Sequence, residues 1–198
     1  MSGLFDLTLY ILALINPISK VFIFSVLLKD NHYRDIRLIA IKSTLIAMAM
    51  LLASAAVGNL ILHNVFHVDI YSLKIAGGLV LFYFGFQALT KGVFFEVGEQ
   101  ESLEELSIVP LASPMIAGPA TITAVISFSP EYGFALTAAA MSLAVLINLS
   151  VMLCSRIIGS FLVNHNMMGA LIRITGLIVA TIAVQMTLAG VQTFLKTI

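Results

Sequence analysis

Charge is what this sequence has least of. Only 10% of its 198 residues are Asp, Glu, Lys or Arg, while 60% are hydrophobic; a soluble domain carries about 25% charged residues. A chain with so little means of wetting its surface belongs in a membrane. The ten basic and ten acidic side chains cancel, so no basic field exists to hold a polyanion, and nucleic acid is excluded as a partner. The single cysteine, Cys154, can form neither an internal disulfide nor a metal cluster and reads as a small hydrophobe within an apolar run. The four histidines, His32, His63, His67 and His165, fall in polar connections. His63 and His67 have a helical ligand spacing but only Asp69 for acidic company, so they read as an interfacial loop, and no metal is expected. No nucleophile–base pair, phosphate-cradling loop or zinc motif is visible, so no catalytic residues and no cofactor are expected. The first hydrophobic stretch has no basic region before it and is too long for a cleavable leader, so it reads as a retained span.

Hydrophobic runs are what is abundant. About 20 apolar residues cross the hydrocarbon core as a helix, and six such windows occur: Phe5–Leu28, Leu38–Leu62, Tyr71–Thr90, Ile108–Phe128, Gly133–Cys154 and Ala170–Phe194. Lys and Arg set the orientation, because acidic residues contribute little to it. Lys29, Arg34, Arg37 and Lys42 cluster at the first connection, Lys91 at the third, and Arg156 and Arg173 flank the fifth; the other side has Lys74 and Lys196. Both termini are therefore expected outside the cytoplasm. The stretch KGVFFEVGEQESLEEL, with Glu96, Glu99, Glu101, Glu104 and Glu105, is then a cytoplasmic linker, read as a solvated tether.

That linker separates two halves that resemble each other. The third span contains LKIAGGLVLF and QALTKGV; the sixth contains LIRITGLIVA and QMTLAGV. A basic residue (Lys74, Arg173), Ile75 or Ile174, Gly77 or Gly176, and Gln87 or Gln185 five residues before a Gly-Val pair recur in order, with a one-residue gap. The first and fourth spans match through Asn16-Pro17 and Ser113-Pro114. The expected units are residues 1–90, a linker over 91–107, and residues 108–198. Three spans per unit place the second copy upside down, so the expected fold is an all-α membrane protein of six transmembrane helices in two inverted three-helix repeats. Secondary transporters use that architecture, with the site at broken helices near the midplane.

The sequence supplies such breaks. VPLASPMIAGPATIT carries Pro110, Pro114, Gly118 and Pro119 inside a run apolar enough to span lipid, although each helix-interior proline costs about 3 kcal/mol. Irregular backbone at membrane depth is tolerated only where protein or a water-filled cavity satisfies it. The first and fourth helices are thus expected to be broken or kinked, presenting free carbonyls to a cation or ammonium and half-helix N-termini to a carboxylate. The expected substrate-binding residues are Asn16, Pro17, Ser19, Ser113, Pro114, Ala117, Gly118, Pro119, Thr121 and Thr123. Secondary candidates are Lys20, which looks deep and is read as snorkelling to the interface or a water-filled vestibule; the close-packing glycines Gly77 and Gly78; and Gln87, Asn148 and Gln185 as cross-helix polar groups. The rows Ala49, Ala53, Val57 and Ala140, Ala144, Asn148 read as interhelical faces. No Asp or Glu lies deep in a span, which disfavours a carboxylate proton relay; a coupling ion, Na+ or H+, would rely on carbonyls, hydroxyls and water.

PLASPMIAGP resembles the pattern P-L-A-x-P-x-x-A-G-P of the MarC family of integral membrane proteins, matching at Pro110, Leu111, Ala112, Pro114, Ala117, Gly118 and Pro119. KIAGGLVLF, and RITGLIV with Gln185 and Gly190, resemble that family's third and last spans, so the likeness covers nearly the whole chain. Its first-span pattern is N-P-(I/L)-G-x-x-P; Asn16, Pro17 and Ile18 match, but Ser19 replaces the glycine and Phe22 the second proline. That departure leaves open whether the first helix is unwound or only kinked. The resemblance implies membership in the wider group of LysE-type amino-acid exporters, in the cytoplasmic (inner) membrane, exporting or exchanging small neutral amino acids such as alanine and glycine. Broader solute or drug efflux, and a non-transporting factor acting through a partner of the acidic linker, are the alternatives. The expected partners are the bilayer, a neutral amino acid and, as an open question, further copies of the chain.

Overall fold

The computed structural model describes residues 3–30, 32–93 and 107–197; most of the acidic linker lies outside them. Among the described residues every regular element is helical. The first apolar run folds as α1 (Leu4–Ile15) and α2 (Pro17–Asp30), separated by Asn16 alone. α3 (Tyr33–Asn64) and α4 (Ile70–Lys91) follow. The proline-rich run forms a wide π-type coil, α5 (Ser107–Ile116), then α6 (Pro119–Tyr132). Pro110 and Pro114 have no N–H to donate, and Ala117 N–H reaches back five residues to the Ala112 carbonyl at 2.8 Å. Gly133, at φ 90°, turns the chain into α7 (Phe134–Leu153); α8 (Ser155–Asn164) and α9 (Met168–Leu195) complete it.

Five stretches are long and apolar enough to cross a membrane: Leu4–Ser25, Tyr33–Asn64, Ile70–Lys91, Phe134–Leu153 and Met168–Leu195. They coincide with five of the six expected windows. The remaining one, Ile108–Phe128, is divided between α5, of 10 residues, and α6, of 14, and neither piece spans 30 Å by itself. α3, at 32 residues, would be about 48 Å long; it begins five residues before the apolar window and includes Arg34, Asp35 and Arg37. α8 was not expected. Its amphipathic pattern, with Ile158 and Leu162 turned inward and Ile157 and Phe161 exposed, lays it against α2. Cys154 is exposed, at the turn between α7 and α8.

α4 and α9 run antiparallel and pack most extensively of all pairs. Glycines permit their backbones to touch: a Cβ on Gly85 would stand 2.6 Å from Ala180 N, and one on Gly176 2.8 Å from Leu89 N. Small residues are the means by which membrane helices approach this closely, since lipid tails leave no hydrophobic force between them. Arg173 at one end donates to the Leu89 and Thr90 carbonyls at 2.7 and 3.2 Å, capping α4.

The remaining helices pack as α1 on α7, α2 on α8, and α5 and α6 on α3, with α3 also against α7. Two apolar cores result. One joins α1, α2, α3, α5 and α7 through residues such as Leu7, Ile11, Leu51, Leu111 and Met141; the other surrounds the α4–α9 pair through Leu81, Val179, Ala183 and Met186. On α7, Ala140, Ala144 and Asn148 are buried as expected. On α3 the expected row is wrong: Ala49, Ala53 and Val57 face outward, while Ala40, Ala47, Leu51 and Ala55 face inward. Small apolar residues occupy both faces of α3, and in lipid neither face is penalised.

Candidate solute site at two helix breaks

The first break is a single residue. Asn16 adopts a left-handed conformation, φ 53° and ψ 78°, and its N–H closes α1 on the Leu12 carbonyl at 2.9 Å. Asparagine is enriched in this region relative to other non-glycine residues, and the fixed φ of Pro17 suits the first position of a new helix. α2 therefore restarts at once, on a new course. The Asn16 carbonyl accepts from Ser19 N–H at 3.2 Å and from Ser19 Oγ at 2.7 Å, while the Asn16 side-chain Nδ2 is buried without a partner. With Ser19 and Phe22 in place of the family's glycine and second proline, the interruption is confined to Asn16 and the helix resumes at Pro17 without an unwound segment.

The second break is longer. After the π-type coil, Ala117 and Gly118 leave helical geometry, and Gly118, extended at φ −85° and ψ 168°, precedes Pro119 at the start of α6. The Gly118 carbonyl accepts from Ile122 N–H at 2.9 Å. Glycine is required here by space: a Cβ would strike the Pro114 carbonyl oxygen.

Lys20 ties the two breaks together. It is fully buried, 1% exposed, and its Nζ donates to the carbonyls of Ile15, of Met115 at 2.7 Å and, at 3.5 Å, of Asn16. Of the two expected readings, snorkelling to the interface is overturned; the ammonium turns inward, beside a small cavity that Lys20 lines. The ends of α1 and α5 bring carbonyl oxygens with no intrahelical donor within reach of the ammonium, and each helix C-terminus carries roughly half a negative charge. A lone charge at this depth costs about 2.5–3.5 kcal/mol on insertion scales, and two helix ends acting together offset it.

Around this bridge lies a cavity of about 40 Å³. Asn16, Ser19, Lys20 and Thr121 are the polar residues of its mostly apolar lining, which also includes Pro114 and Gly118 from the second break, Leu81 and Phe84 from α4 and Val179 from α9. The first turns of both restarted helices, at Ser19 and at Ala120–Thr121, line it. At 10–15 Å³ per molecule it would admit about three waters. A second, apolar cleft of about 480 Å³ adjoins it, bounded by α1, α2, α7, α8 and α9, and the two share Asn16 and Val179.

Six of the expected site residues thus meet at the small cavity: Asn16, Ser19, Lys20, Pro114, Gly118 and Thr121. Pro17 lines the larger cleft. Ser113, Ala117 and Pro119 flank the second break without lining either space. Thr123 and Gly77 face each other, a Gly77 Cβ falling 2.5 Å from Thr123 Oγ1, and Gly78 packs on Thr187. Asn148 is buried within α7 with Nδ2 3.2 Å from Met152 Sδ, Gln87 is half-buried and Gln185 exposed; none of the three lines either space. Side-chain chemistry could not have signalled the carbonyls of Ile15 and Met115. Leu81, Phe84 and Val179 are apolar residues within apolar spans and carry no signal of their own.

The profile of the MarC family integral membrane proteins matches residues 1–195. A UPF0056 membrane protein of Pyrococcus horikoshii is 33% identical over 182 residues, covering 92% of this chain and 90% of its own length. A Bacillus subtilis UPF0056 membrane protein is 32% identical, covering 91% and 90%, and one of Methanocaldococcus jannaschii is 29% identical, covering 94% and 98%. No solved structure matches. With a profile spanning nearly every residue and relatives of matching length, the chain belongs to the MarC family of integral membrane proteins.

Proposed function

We propose that the protein is a secondary transporter of the cytoplasmic membrane that exports or exchanges small neutral amino acids such as alanine and glycine. One observation carries this reading: two helix breaks about a hundred residues apart in sequence meet at one small, partly open cavity. The cavity has the two chemistries a zwitterion needs. The first turn of α6 suits a carboxylate, and the Ser19 and Thr121 hydroxyl oxygens suit an ammonium. At about 40 Å³ the cavity is too small for an amino acid, so solute would enter by separation of the packed units, as alternating access requires.

In this reading α5 and α6 together make a further crossing, giving six spans in two inverted units with both termini outside the cytoplasm. The antiparallel α4–α9 pair supports it, because corresponding helices of inverted repeats must run in opposite directions. So does the placement of corresponding glycines: Gly77 lies against Met186, and Gly176 against Ala88 and Leu89. Among the described residues Lys20 bonds only to backbone carbonyls, which supports coupling through carbonyls and hydroxyls.

The test is uptake and counterflow of radiolabelled alanine and glycine in proteoliposomes, with and without sodium and proton gradients. Saturable exchange is expected, and its gradient dependence identifies the coupling ion. A folded, oriented preparation that moves neither solute under any gradient overturns the proposal. The apolar cleft of about 480 Å³ favours a second reading, efflux of larger apolar solutes; competition of alanine exchange by such solutes would support it.

A further inference from the structure

We propose that the Lys20 ammonium is a tethered cation: it fills a monovalent-cation site built from the carbonyls of Ile15, Asn16 and Met115, which would take a free alkylammonium or alkali cation if the side chain were removed. The inference does not depend on which solute is carried.

The acceptor set supports it. An ammonium has three N–H donors and no acceptor capacity, and three backbone carbonyls surround this one, the Asn16 carbonyl at the longest distance, 3.5 Å. Its donors are therefore directed at fixed protein oxygens, an arrangement unlike that of a lysine held ready for a carboxylate. Rings of carbonyls are also how proteins replace the hydration shell of an alkali cation. The charge balance agrees. The acceptors come from the C-terminal ends of two helices, each worth roughly half a negative charge, and together they match one monovalent cation with no Asp or Glu among the described partners of Lys20.

Position adds a second argument. Lys20 and Met115 are 95 residues apart, so the bond joins the first turn of α2, just past the first break, to the end of α5. A soluble ion there would make the joining of the breaks depend on its concentration. A covalently attached ammonium makes it permanent, whatever the salt outside. The native protein should therefore show no alkali-cation requirement at this place.

Substitution by alanine retains Cβ and deletes the equivalent of n-propylammonium, so that ion is the matching probe. The full chain, in detergent and in lipid nanodiscs, would be melted as wild type, Lys20→Ala and Lys20→Met in sodium, potassium or choline chloride at one ionic strength, with n-propylammonium chloride or n-propanol added. Both variants should melt roughly 4–10 °C below wild type, because the Ile15 and Met115 carbonyls lose the charged donor that Lys20 supplies. Propylammonium should restore most of the difference for Lys20→Ala, and propanol should not. Lys20→Met, which refills the space without charge, guards against an alanine variant that fails to fold: it should melt low and gain nothing from propanol. Lys20→Met melting like wild type, or propylammonium giving Lys20→Ala no more than propanol does, would each overturn the proposal.

Discussion

The two helix breaks reach the same cavity by different means. At Asn16 the chain leaves helical geometry for one residue, through a left-handed φ that asparagine accepts, and α2 resumes immediately. At residues 107–118 the departure is gradual: a π-type coil widened by prolines, then Ala117 and an extended Gly118. The short break depends on a backbone angle, the long one on space. Each also ends a helix whose last carbonyls turn to Lys20, so unlike local structures serve a common electrostatic purpose. A substitution that disturbs angle should therefore harm the first break, and one that disturbs volume should harm the second.

The largest effect is expected at the second break. Gly118→Val places a Cβ against the Pro114 carbonyl; overpacking of this kind costs roughly 1–3 kcal/mol and should lower exchange about tenfold or more while the protein still inserts. Counterflow alongside membrane quantification checks it, and undiminished exchange would remove this segment from the site. Asn16 separates angle from chemistry at the first break. Asn16→Leu forces a branched side chain to left-handed φ, at about 1–2 kcal/mol, and should melt roughly 2–8 °C lower. Asn16→Gly accepts the same φ freely but lacks the unpartnered amide, so it should keep its melting temperature and lose exchange. If both functions survive in Asn16→Gly, the residue serves the backbone alone. The smallest effect is expected for Ser19→Ala, which removes the 2.7 Å bond to the Asn16 carbonyl; one hydrogen bond is worth about 1 kcal/mol, a melting shift of about 2–4 °C with exchange retained.

What the sequence revealed depended on whether a residue's chemistry conflicts with lipid. Proline, glycine and asparagine inside apolar runs conflict with it, so both breaks and six of the residues around the cavity could be named from sequence. Alanine and valine do not. On α3 the row Ala49, Ala53, Val57 was indistinguishable by composition from the row that packs, Ala40, Ala47, Leu51 and Ala55, because a methyl group is equally at home against lipid or a neighbouring helix. For the same reason the wall of the cavity, Leu81, Phe84 and Val179, was invisible. Lys20 was conspicuous by its depth, but its direction was not: snorkelling is the usual course for a lysine whose nearest polar groups lie at the interface, and here they lie inside.

Composition and periodicity by themselves determined that the chain is helical and lies in a membrane, where five of its apolar stretches fall, and where its helices could not stay regular. These follow from local energetics, since lipid penalises charge and irregular backbone residue by residue. Tertiary structure alone decided that the two breaks meet, that α4 and α9 lie backbone to backbone, and that Lys20 turns inward to the carbonyls of Ile15 and Met115. Those facts concern main-chain atoms of segments far apart in sequence, and an exposed carbonyl is the same atom in every residue until the fold places something beside it.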